Sequence, residues 1–297
     1  MQAYREDGLR ILVTGNTGQI GVALVPFLLE AGYQLRTFDR TAQGRGQTWE
    51  HIPGDLRDAV GVRRAVQGAD AVVHLAAISH DRLGGPDEIH QVNVLGTLNV
   101  LQACAEAGVE RVVFFSSVNS LGNFQGHRVT QYFPIDDAYP RHPMSPYQLS
   151  KHLGEEACCS YTDRCGMVTI CLRPVAVVSP ESYAHFHRPA ASFWGRMVKA
   201  DYWSYVDVRD VCQAALLSLK VRDVRHDAFL LAAEDTRAAE PTAQLIDEHY
   251  PNVPWPKVDR ETYLAANPYR SLVDCSHAAD LLGWRPRYSW RQISPNP

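Results

Sequence analysis

Residues 11–21 read ILVTGNTGQIG, an apolar run that breaks into three glycines, Gly15, Gly18 and Gly21, and then opens onto a stretch of helical periodicity. A strand passing into a helix through so tight a turn lets a pyrophosphate lie against the backbone, its charge facing the free amides of the helix N-terminus. Thr17, Gln19 and Ile20, interleaved with the glycines, become candidate contacts of the same ligand. The next apolar run, QLRTFD (34–39), ends in Asp39, positioned to accept hydrogen bonds from ribose hydroxyls and to repel a 2'-phosphate. That favours NAD. Arg40 follows directly and would attract the same phosphate, which keeps NADP open.

Outward from this turn, short β-branched runs alternate with helical segments, the pattern of a parallel sheet covered on both faces. Strands are predicted at 10–14, 34–39, 48–54, 70–76, 111–117 and 167–173, and a later one at 227–233. Helices are predicted over 19–31, 58–68, 86–108, 146–165 and 207–220. Several strands are apolar almost throughout, as burial on both faces requires. The fold class is therefore α/β, a Rossmann-type doubly wound sheet. Pro26 falls inside the first helix and predicts a kink without a break.

With 297 residues and a formal charge of -4, the chain has ample core-forming material and no basic run to attract nucleic acid or an anionic membrane. No apolar stretch approaches the ~20 residues that span a bilayer. The opening MQAYREDGLR lacks the basic end and long apolar segment of a secretion signal, so a cytoplasmic location is expected. Seven cysteines form no Cys-x-x-Cys pair, which fits reduced thiols, and no metal site is expected.

The third and fourth strands continue the cofactor trail. GDL (54–56) brings Asp55 and Leu56 toward the adenine side, although Asp55 or Asp58 would serve equally as a helix cap. HLAA (74–77) ends the fourth strand with Leu75, Ala76 and Ala77, small enough at the last two positions for a flat ring to approach, or simply for close packing.

In YQLSK, Tyr147 and Lys151 stand one helical turn apart on one face. An ammonium beside a phenol stabilises the phenolate, so a depressed tyrosine pKa and an acid/base role are expected; a solvated surface pair would read the same. FFSS (114–117) ends the fifth strand with Ser116 and Ser117 at the same carboxyl edge, where a hydroxyl can hold a substrate oxygen or merely start a turn.

Taken with NVLGTLNVLQAC (93–104), LRP (172–174), YVDVRDV (205–211) and AADLLGWRP (278–286), these segments run in one order along nearly the whole chain. The sequence resembles an extended short-chain dehydrogenase/reductase of the NAD-dependent epimerase/dehydratase family. The resemblance implies Ser117, Tyr147 and Lys151 as a catalytic triad, with Asn93 in support and touching the cofactor, Ser116 and Pro174 lining the nicotinamide end, and NAD as cofactor. It further implies a dinucleotide-binding domain of 1–173 and 205–233, with a small substrate lobe of 174–204 and 234–297. A homodimer built on helices 86–108 and 146–165 follows by the same analogy.

Two departures bear on the reaction. Val118 and Asn119 stand where the family's dehydratases carry an acid pair, which leaves oxidation, reduction or epimerisation of a sugar-like carbinol. The long interval from Ser117 to Tyr147 reads as a flap, 118–145, over the site. The short lobe segment points to a smaller ligand, and His185, His187 and Arg188 in HFHRP could meet a carboxylate or phosphate, although a solvated loop is the favoured reading. A dinucleotide-sensing protein without catalysis is the competing reading.

Overall fold

The structure is a computed structural model that describes residues 8–42, 48–126, 128–186 and 199–292. Seven parallel strands form the central sheet: β1 (Arg10–Thr14), β2 (Gln34–Asp39), β3 (Glu50–Pro53), β4 (Ala71–His74), β5 (Arg111–Phe115), β6 (Val168–Pro174) and, after a separate two-stranded ladder, β9 (His226–Leu231). Their order is β3-β2-β1-β4-β5-β6-β9, and the small ladder pairs β7 (Val177–Val178) with β8 (Val206–Asp207). The order reverses between β1 and β4, so a crevice opens beyond their carboxyl ends, the place where such sheets bind ligands.

Helices α1 (Gln19–Glu30), α2 (Ala59–Val66), α3 (Pro86–Ile89), α4 (Gly96–Ala107), α5 (Pro146–Cys165) and α6 (Val208–Lys220) cover the two faces. One face buries Ile11, Val13, Leu24, Val113 and Leu172, the other Leu12, Val72, Val100, Val112 and Cys171. Alternate residues of the same strands feed both cores, which is why these strands are apolar throughout. Helix α1 runs through Pro26 unbroken. The predicted 86–108 helix is present with a difference: residues His90–Leu95 form a π-helical turn between α3 and α4.

Beyond β9, helices α7 (Thr242–His249), α8 (Arg260–Ala265) and α9 (Ser276–Leu282) pack back on the sheet. Leu272, Val273, Ala278 and Trp284 belong to the first core, so this tail is continuous with it. The 118–145 stretch, expected as a flap, is instead a fixed wall: Leu121, Phe124, Phe133, Ile135 and Tyr139 are buried in the same core. Phenylalanines and isoleucines that leave water hold such a segment down. Among the described residues no helix is long and apolar enough to cross a membrane.

Candidate active site

At the glycine turn the backbone explains the residue types. Gly15 adopts φ +76, and a Cβ there would lie 2.5 Å from the Ala76 nitrogen; at Gly21 it would lie 2.4 Å from the Gly15 carbonyl oxygen. At Gly18, by contrast, a Cβ would meet nothing closer than 3.4 Å, so the space it would take belongs to the groove. Gly18 caps α1 without any side-chain acceptor, which leaves the first helix amides to a ligand. The turn therefore fits a pyrophosphate, and the groove it lines, about 1210 Å³, also takes in Asp39 and Pro174.

Along one wall lie Thr17, Gln19, Ile20, Asp39, Arg40, Asp55, Leu56, Leu75, Ala76 and Ala77. Asp39 is held in place by the Thr17 amide and hydroxyl, at 3.1 and 2.8 Å on Oδ2, while the Arg40 amide donates to Oδ1. A carboxylate so anchored at the end of β2 suits ribose hydroxyls. Asp58 is the cap of α2, accepting from the Val60 amide. Asp55 pairs with Arg57, whose hydrogen bonds hold its carboxyl below the usual range despite partial burial. Gln19 reaches across to donate 3.1 Å to the Val177 carbonyl, tying α1 to β7 over the groove.

The chemical end is built by α5. Ser145 caps it in a reciprocal box with Gln148, and Pro146 sits in its first turn. Gly154 then lets the helix approach β5, since a Cβ there would strike the Phe114 ring at 2.5 Å. That approach brings Lys151 to donate 2.7 Å to the Phe115 carbonyl, with its ammonium 5.1 Å from the Phe114 ring centroid and 5.9 Å from that of Tyr147. The Ser117 hydroxyl stands close enough to act on the Tyr147 phenol. Ser117, Tyr147, Lys151 and Pro174 all line the groove.

The electrostatics differ from the expected depression of the tyrosine. Burial pushes the Tyr147 phenol up to about 12; the Ser117 hydroxyl opposes this and the nearby Asp81 carboxylate adds to it. Burial likewise pulls the Lys151 ammonium down to about 8, against the charge of Glu155 one turn on. Both shifts disfavour charge in a dry setting.

Two predicted residues are engaged in holding the frame. Ser116 lines the groove but donates to the buried Glu155, which also binds Arg173 and Ser120. Asn93, on the π-helical turn, is not on the groove wall: its amide accepts from the Ile78 nitrogen at 2.8 Å and donates to the Ile78 oxygen and Ser150 hydroxyl. It fixes the loop after β4 against α5. Of HFHRP, His187 and Arg188 lie outside the described residues, as does the side chain of His185.

Several groove residues escaped sequence reasoning. Asp81 accepts from the Ser145 hydroxyl at 2.7 Å and the Tyr147 amide at 2.8 Å, clamping the start of α5 from a loop 66 residues away. Gln125, Asp201 and Arg237 line the groove as well. No short-range pattern announces any of them. Among the described residues no cluster of His, Cys, Asp and Glu is arranged to hold a metal.

Against known proteins, the model of the NAD dependent epimerase/dehydratase family matches residues 11–231. A sterol demethylase protein B of Methylococcus capsulatus is 32% identical over 233 residues, 75% of this chain and 69% of that one. A uronate dehydrogenase of Pseudomonas syringae is 34% identical over 166 residues, 55% of this chain; the match spans only 58% of that enzyme. A short-chain dehydrogenase/reductase superfamily protein of Agrobacterium tumefaciens, solved with bound NAD, superposes with TM-score 0.73 at 24% identity over 95% of this chain and 94% of that one.

Proposed function

The chain belongs to the NAD-dependent epimerase/dehydratase family, and from that premise we propose that it is an oxidoreductase acting on a hydroxyl-bearing or carbonyl carbon of a sugar-like molecule. The observation that carries this reading is the convergence of Ser117, Tyr147 and Lys151 on one end of a groove whose other end is a glycine cradle. NAD supplies the hydride acceptor, and in its oxidised form a positive ring that favours the phenolate.

The chain's own residues do the rest. Ser117 holds the substrate oxygen beside Tyr147. Tyr147 gives or takes the proton at its phenolic oxygen. Lys151, protonated below about pH 8, supplies positive charge behind both. Val118 and Asn119 offer no acid to expel a hydroxide, so dehydration is not part of the reading. The relative named a uronate dehydrogenase supports a sugar or sugar acid as substrate.

In the same reading, residues 174–204 and 234–297 form the substrate lobe and the rest the dinucleotide-binding domain. Exposed Leu95, Leu98, Leu149 and Leu153 on the π-helical turn, α4 and α5 support a homodimer through that face. The seven free cysteines support a reducing, cytoplasmic setting.

The test is to incubate the protein with NAD and a panel of sugars, uronates and nucleotide sugars, following NADH and product stereochemistry. Dehydrogenation accumulates NADH, epimerisation alters the sugar without it, and a sensor does neither. Tyr147→Phe should bind NAD normally and lose turnover by ~100-fold or more. Unchanged turnover in that variant ends the assignment.

A further inference from the structure

The groove that holds Ser117, Tyr147 and Lys151 is also lined by a guanidinium that is incompletely satisfied. The Nε of Arg237 is buried and has no hydrogen-bond partner among the described residues. Asp201 is the acid that acts on it, yet the two form no ion pair among those residues. Both side chains line the groove. Burial pulls the Arg237 guanidinium down and pushes the Asp201 carboxyl up, each partly offset by the other's charge. A protein that leaves a guanidinium and a carboxylate dry, opposed and out of contact bears a desolvation cost that closing the pair would have relieved.

The backbone around the two is strained. Gln125, Tyr202 and Trp203 are the non-glycine residues with positive φ among the described residues, at 67, 55 and 52 degrees. All three adjoin this spot. Asp201 accepts from the Gln125 amide at 3.1 Å, and the Arg237 amide donates 2.9 Å to the Trp203 carbonyl. Bulky residues held left-handed are costly and persist where the surroundings over-determine them, commonly at ligand clamps. The wall also connects to the chemistry: the Phe124 carbonyl, next to Gln125, accepts from Gln148, the neighbour of Tyr147.

We propose that Arg237 and Asp201 form the substrate-recognition subsite, Arg237 binding a carboxylate of the substrate and Asp201 accepting a hydroxyl of the same molecule. The substrate class is therefore a sugar acid or comparable hydroxylated carboxylate. A single cation faced by an anion suits one carboxylate with adjacent hydroxyls, and disfavours a diphosphate, whose two charges would meet Asp201. The oxidoreductase reading underlies the chemical step after binding, but the subsite itself is a matter of affinity.

Affinity is accordingly what the test reads. Protein saturated with NADH, which cannot oxidise a sugar, is titrated calorimetrically with D-glucuronate and D-galacturonate and with the neutral D-glucose and D-galactose. The wild type should prefer the acids by about 10- to 100-fold, the range of a charge-assisted bidentate contact. In Arg237→Gln that ratio should fall toward one, and Arg237→Lys should recover part of it. Equal binding of acid and neutral sugar by the wild type overturns the proposal without any variant. So does a ratio that survives in a folded Arg237→Gln protein, or failure of both acids to bind. Selective binding with no turnover of either acid would leave the subsite standing and sink the proposed reaction.

Discussion

Glu155→Gln tests whether one buried carboxylate serves both stability and chemistry. Glu155 and Arg173 are 2% and 1% exposed and share two hydrogen bonds, at 2.9 and 2.8 Å. Burial pushes the Glu155 carboxyl up, but Arg173, Arg141 and Ser116 together hold it below the usual range. Glutamine keeps the shape and removes the charge. Breaking a buried pair from one side costs about 3–5 kcal/mol. Asp137, 3.1 Å from the Arg173 guanidinium, remains as a partial counter-charge and keeps the loss near the lower figure. A loss of about 3 kcal/mol corresponds to a Tm lower by roughly 6–12 °C.

The sign with pH follows from the depressed carboxyl. Its contribution is present above the unfolded value of 4.5 and is lost as pH falls through the lower folded value, so wild type and variant converge in acid. The same substitution acts on Lys151, whose ammonium is held up toward 8 by the Glu155 charge. Removing that charge should lower the ammonium by roughly one unit. At pH 7.5 the protonated share then drops from about three quarters to about one quarter. Scanning calorimetry at several pH values and a kcat–pH profile in the carbonyl-reducing direction check both halves. A Tm within 2 °C of wild type, or an alkaline limb that does not move acidward, refutes the reasoning.

Two further outcomes arise from packing. His74 is buried between the hydroxyls of Thr14 and Thr97, at 2.7 and 3.0 Å, and burial, helped by the Lys151 charge, pulls its imidazole down to about 3. A depressed histidine contributes stability above its unfolded value of 6.5 that is lost as pH falls toward 3, so urea titrations should show about 2 kcal/mol lost from pH 6.5 to 5; a wild-type slope matched by His74→Gln would contradict this. Gly154→Ala gains about 1 kcal/mol in helix propensity but drives a Cβ to 2.5 Å from Phe114, an overpacking cost of about 1–3 kcal/mol. The helix should back away, Lys151 should leave the Phe115 carbonyl, and kcat should fall by roughly 10-fold or more; an unchanged kcat means that the close approach is not what positions the lysine.

The glycine turn, most strand positions and α5 were legible because each is specified locally, by apolar period or by a residue without a side chain. Strands β1 and β2 and helix α5 fall at their expected bounds. The π-helical turn that carries Asn93 was not legible, since a shift from i→i+4 to i→i+5 bonding leaves the apolar pattern of 86–107 almost unchanged. Asp81, Asp201 and Arg237 were invisible for a different reason. Their meaning lies in contacts dozens of residues away, and Tyr202 and Trp203, being bulky, give no hint of a left-handed backbone.

The tyrosine is where sequence pattern and geometry part. Spacing alone puts Lys151 beside Tyr147, and that spacing predicts a lowered pKa. In the fold the ammonium is committed to the Phe115 carbonyl while the phenol sits in a dry wall near the Asp81 carboxylate. Desolvation and the Asp81 charge act together against the phenolate, and the phenol stays protonated throughout the neutral range. A proton donor poised beside Ser117 serves carbonyl reduction directly. Oxidation needs a further positive charge in the groove to draw the proton off, so in the oxidative direction activity should climb with pH until Lys151 begins to lose its own proton near 8.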